Sequence, residues 1–79
     1  MLEFVKSDDG DELYLYLDEN GWERLQREVN EARRSGHTHL FSSDWGPGEL
    51  TVTSGSKGSF HKVTITFERG SPRGSGEDL

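Results

Sequence analysis

The sequence predicts an α+β fold of order ββαβββ, a mainly antiparallel sheet with one helix packed across one face, in two layers. Three observations predict it. Only residues 20–36 carry a helical stripe, with Trp22, Leu25, Val29 and Ala32 at three- and four-residue steps. Residues 12–17 and 60–69 instead alternate with period two: Leu13, Leu15 and Leu17 against Tyr14 and Tyr16, and Val63, Ile65 and Phe67 against Lys62, Thr64, Thr66 and Glu68. Turn-forming residues separate the apolar segments.

Taken in order, Leu2–Lys6 and Glu12–Leu17 read as two strands joined at Ser7-Asp8-Asp9-Gly10-Asp11, where Asp-Gly is a strong local hairpin signal. The helix follows. Asn20 is placed to cap its first turn, with Glu23 three residues on as the reciprocal half of a capping box. Arg33 and Arg34 suit the negative end of the helix dipole, and Gly36 suits a left-handed stop. Glu23–Arg27, Arg24–Glu28 and Arg27–Glu31 are four apart, so the outer face is a solvated ladder of charge.

His37–Phe41 reads as a third strand, Ser42–Gly48 as a loop broken by Gly46-Pro47-Gly48, and Glu49–Thr53 as a fourth strand. Ser54–Ser59 reads as a turn and Phe60–Arg69 as the longest strand. Residues 1–69 form the expected single domain, and the aperiodic residues 70–79 a disordered tail. The Leu13/Leu15/Leu17 and Val63/Ile65/Phe67 rows are expected to meet the helical stripe. Tyr14, Tyr16, Thr51, Thr53, Thr64 and Thr66 then fall on the uncovered side, which is either an ordinary wetted sheet face or a binding surface.

Composition narrows the function. Seventy-nine residues with 29% hydrophobic content suit one lean core, in a size range where about 60% of the unfolded surface is buried. Without cysteine there is neither a disulfide framework nor a thiolate metal site. No apolar run approaches the roughly 20 residues of a membrane span, and no signal peptide is evident, so a cytoplasmic location is expected. The net charge of −6 is carried by residues 1–19, where seven acids stand against Lys6. That field has the wrong sign for nucleic acid and favours a basic partner, mainly through association rate.

Several clusters invite chemistry. His37-Thr38-His39 places two imidazoles on one strand face, with Asp44 or Glu49 as a conceivable third ligand. A zinc motif, however, has two well-spaced pairs, so surface or capping histidines are the simpler reading and no metal is expected. His61 stands alone. Asp8-Asp9-Gly10-Asp11-Glu12 fails as a calcium loop, since aligning its glycine puts Val5 and Tyr16 at the terminal ligand positions. It is an acidic turn, or a negative knob for a basic partner.

Ser42, Ser43, His39 and Asp44 are sequence neighbours, whereas a catalytic triad is assembled from distant elements. Gly55-Ser56-Lys57-Gly58 lacks the spacing of a phosphate loop. Neither an enzyme nor a cofactor is expected. Trp45 followed by Gly46-Pro47-Gly48 reads either as a lid over one end of the core or as an exposed anchor for a partner.

A helix ending in glycine, then H-x-H-L, then S-x-x-W-G-x-G-E-L resembles the immunity protein 32 family of bacterial polymorphic toxin systems. The resemblance covers Trp22–Leu50 best and rests on His39, Leu40, Ser42, Trp45, Gly46, Glu49 and Leu50. This chain has Gly46-Pro47-Gly48 where the family often shows Gly-Gly. The resemblance implies a small protein that binds and neutralises a cognate toxin by occlusion. The candidate partner-binding residues are Asp8, Asp9, Asp11, Tyr14, Tyr16, His37, His39, Asp44, Trp45 and Glu49. A structural domain that dimerises through its uncovered sheet face is the alternative.

Overall fold

The computed structural model describes residues 1–53 and 58–68. The element order is β1 (Leu2–Lys6), β2 (Leu13–Leu17), α1 (Glu19–Ser35), β3 (His37–Phe41) and β4 (Lys62–Thr66). The α+β class stands, with one helix packed against antiparallel strands. Residues 54–57 of the expected turn at 54–59, residue 69 and the tail at 70–79 lie outside the described residues.

The strands form two antiparallel pairs rather than one ladder, β1 with β2 and β3 with β4. In the first pair Leu2 faces Leu17 and Phe4 faces Leu15; in the second His37 faces Thr66 and Leu40 faces Val63. Residues 58–60 link the pairs. Lys6 N–H donates to Gly58 O at 2.8 Å and Phe60 N–H to Phe4 O at 2.9 Å, after which the chain turns into β4. The long strand expected over 60–69 is therefore split: its first residues serve β1 and its later ones serve β3.

The fourth strand expected over 49–53 is instead a linking segment. Leu50 N–H donates to Phe41 O at 3.0 Å, while Thr51 N–H donates to Leu2 O at 2.7 Å. A segment whose neighbouring residues serve different strand pairs cannot build a ladder with either.

The turn between β1 and β2 forms as the Asp-Gly signal predicts, with Gly10 at φ +80° and its N–H donating to Ser7 O at 3.0 Å. The helix begins one residue earlier than the expected cap. Asp18 is the N-cap, its Oδ1 accepting from Gly21 N–H at 2.9 Å and also pairing with the Met1 amino group. It displaces Asn20 because the chain turns into the helix as soon as β2 ends. Gly36 closes the helix at φ +105°, its N–H donating to Ala32 O. Arg24 pairs with Glu28 and Arg34 with Glu31 on the charged side.

The core is small: Leu2, Leu40 and Leu50, with Phe4, Leu25, Val63 and Ile65 packed around them. The helix meets it through a stripe rotated by about one residue from the one the sequence suggests. Gly21 and Ala32 are buried, whereas Trp22 and Val29 are 47% and 45% exposed. Small residues decide this, because a Cβ on Gly21 would stand 1.7 Å from Met1 O. Only a glycine lets the helix lie this close to the start of β1. Thr38 Oγ1 donates to Glu28 Oε1 at 3.0 Å and ties the helix to β3.

A second correction concerns the leucines of β2. Leu13, Leu15 and Leu17 are all exposed, as is Phe67, and of the leucines only Leu17, at the end of β2, comes close to the helix, beside Gly21. The helix leaves β2 through a one-residue link and lies over β1, β3 and β4, so it cannot shield the strand it has just left.

Candidate functional site

The candidate residues fall into two groups on the two strand pairs. The first is the β1–β2 hairpin. Asp9 turns its carboxylate inward on the turn, its Oδ1 accepting from Ser7 Oγ at 2.7 Å and from Asp11 N–H at 2.9 Å. Those bonds, that from Asp11 N–H foremost, hold its pKa below the usual carboxylate range. Asp9 is thus a turn residue first, and Asp8 and Asp11 are the acids that the turn presents.

Tyr14 and Tyr16 share one face of β2, ring centroids 6.2 Å apart. Tyr14 donates its hydroxyl to Glu12 Oε1 at 2.8 Å, and that bond raises its pKa. The opposite face carries Leu13, Leu15 and Leu17. Every residue of this Leu-Tyr-Leu-Tyr-Leu strand is at least 36% exposed. A shallow apolar groove lined by Phe4, Leu13, Phe60, Lys62 and Val63 runs beside Leu13. Trp22, Leu25 and Val29 line another on the helix. Phe4 and Leu25 both pack on the core, so both grooves are edges of that core left open.

The second group is β3 and the loop after it. His37 and His39 share a face, ring centroids 5.1 Å apart, and the Phe41 ring lies 6.2 Å beyond His39. His39 Nδ1 is 2.9 Å from Thr64 Oγ1 on β4. Asp44 is exposed beside them in sequence, but among the described residues no three side chains of metal-ligating type come together. Glu49 is occupied otherwise: its Oε1 accepts from Phe41 N–H at 2.9 Å, which fastens the loop to β3.

Trp45 is 62% exposed, so it is not buried as a lid over the core. Its ring stacks on His61, centroids 5.1 Å apart and planes 14° from parallel. His61 Nδ1 is 2.8 Å from Ser42 Oγ, and Ser42 is buried. The glycine after Trp45 is required, since a Cβ on Gly46 would come within 2.7 Å of Phe41 Cβ. A serine beside an imidazole suggests a nucleophile with its base, yet this hydroxyl is 1% exposed and offers no approach to a substrate. The pair instead fixes the imidazole on which Trp45 rests.

The sequence shows His61 and Ser42 but not that they pair, and it shows Glu3 only as one of the seven acids of residues 1–19. His61 has no sequence signal, because its partners lie 16 and 19 residues away. Glu3 could have been noticed as a lone acid inside an apolar strand. No family model, curated protein or solved structure matches this chain.

Proposed function

We propose that this chain is a non-enzymatic protein-binding module which docks through β2, and that it acts as an immunity protein occluding a cognate toxin, as its sequence resemblance implies. The observation that carries the binding role is the exposure of the whole Leu-Tyr-Leu-Tyr-Leu strand. Covering one leucine fully is worth about 1.5–3 kcal/mol. A chain with so lean a core leaves three such side chains, and two tyrosines behind them, in water. β2 is also hydrogen-bonded to β1 alone among the described strands, so it presents a strand edge to a partner.

The charge favours a basic partner over a second copy. The acidic turn Asp8–Glu12 precedes β2, and Asp18 and Glu19 follow it. Pairing β2 with the β2 of another copy, in either direction, brings acid against acid. A toxin domain with a basic cleft would meet the same acids favourably.

The test is co-expression with a toxin domain sought in the reading frames adjacent to the one that encodes this chain. Rescue of growth, together with a 1:1 complex by light scattering, is expected. A toxin that stays active and forms no complex rules out the immunity role, and a stable homodimer that buries β2 would restore the structural alternative.

A further inference from the structure

We propose that His37 and His39 form a two-imidazole chelate for a divalent d-block cation such as Ni²⁺, Zn²⁺ or Cu²⁺. This is independent of the docking role of β2. The two residues are i and i+2 on β3, so both side chains leave the same face, and their ring centroids are 5.1 Å apart. Both are exposed, so neither ring must break core packing to turn toward an ion.

The neighbouring strand completes the arrangement. His37 faces Thr66 and His39 faces Thr64 across the ladder. The bond between His39 Nδ1 and Thr64 Oγ1, 2.9 Å long, holds the ring by one nitrogen. The tautomer that donates Nδ1–H to this hydroxyl leaves the Nε2 lone pair free to ligate, the relation by which an outer partner orients a ligating histidine. Thr64 is thus a positioning residue.

The donor set determines the ion. Two neutral imidazoles suit Zn²⁺, Ni²⁺ and Cu²⁺, whereas Mg²⁺ and Ca²⁺ require oxygen ligands. Of the two carboxylates the sequence offers as a third ligand, Glu49 is already bonded to Phe41 N–H, and Asp44 does not join the two histidines in a three-residue cluster among the described residues. Lys62, which faces Phe41 across the ladder, is held over the Phe41 ring at 5.6 Å. The chelate is open, with its remaining positions left to water or to a donor from another molecule.

Calorimetric titration of the whole chain with Ni²⁺ at pH 7.5 tests this. One ion per chain is expected, with selective broadening of the His37 and His39 ring signals in NMR and no binding of Mg²⁺. His37→Ala and His39→Ala should each weaken Ni²⁺ binding by more than about tenfold while leaving the melting temperature unchanged. Thr64→Val, which removes the hydroxyl but keeps the strand, should weaken it several-fold. The proposal is overturned if Ni²⁺ gives no saturable binding. It is equally overturned if both alanine variants bind as the parent does, since the ion then sits elsewhere.

Discussion

Glu3 and Ser59, 56 residues apart in sequence, meet at 2.5 Å, Ser59 Oγ donating to Glu3 Oε2. Thr53 adds its N–H at 3.1 Å to the same oxygen and its hydroxyl at 2.9 Å to Oε1. Glu3 is 4% exposed, so one buried carboxylate fastens β1 to the segments on either side of residues 54–57.

The bond from Ser59, with further help from Thr53, lowers the Glu3 pKa despite the opposing effect of burial. A carboxylate whose pKa is depressed on folding contributes stability above its unfolded value, and that contribution is lost as pH falls through the folded value. Unfolding midpoints in urea should therefore drop as the pH is lowered through and below the ordinary glutamate range. Glu3→Gln should flatten that part of the profile and cost about 2–3 kcal/mol at pH 7, since hydrogen bonds to a charged group are replaced by weaker ones.

Gly21→Ala should destabilise the protein although alanine is the better helix former. The gain in helix propensity is about 1 kcal/mol. The added Cβ would stand 1.7 Å from a backbone oxygen of Met1, and forcing the helix away from β1 should cost about 1–3 kcal/mol. Chemical denaturation would show the net loss; a stabilised variant would contradict the close approach.

His61→Ala should cost more than Trp45→Ala. Removing the imidazole strands the buried Ser42 hydroxyl, a penalty of about 1–3 kcal/mol. Removing the exposed indole takes away one stacking contact, worth about 1 kcal/mol. Urea titrations of the two variants give the order directly.

Leu13→Ser should leave folding stability within about 0.5 kcal/mol of the parent, because the side chain is 61% exposed, yet weaken binding to the partner about tenfold or more. Asp8→Lys with Asp11→Lys should slow association roughly tenfold at low salt and reduce its salt dependence. Asp9 is left intact in that variant because its carboxylate holds the turn. Surface plasmon resonance at two ionic strengths separates the two effects: the leucine acts on dissociation, the acids on association.

Much of the fold was legible because it depends on local periodicity and turn chemistry. The limits of β1, the Asp9-Gly10 turn, the Gly36 stop and the shared face of His37 and His39 all follow from neighbours within a few residues. The candidate site was legible in part for the same reason. Tyr14 and Tyr16 do stack on one face, and Trp45 is exposed, whereas Glu49 and Asp9 are spent on backbone bonds. Those bonds depend on where other segments pass, which spacing does not encode.

By itself the sequence determined one helix among antiparallel strands, a charge excess confined to residues 1–19, and an alternating β2 with a leucine face and a tyrosine face. Only the tertiary structure decided which of those faces is covered, and it covers neither. Periodicity states which side chains share a side; it does not state which side has a neighbour. Here the small size of Gly21 and Ala32 lets the helix settle over β1, β3 and β4, and the leucines of β2 are left exposed.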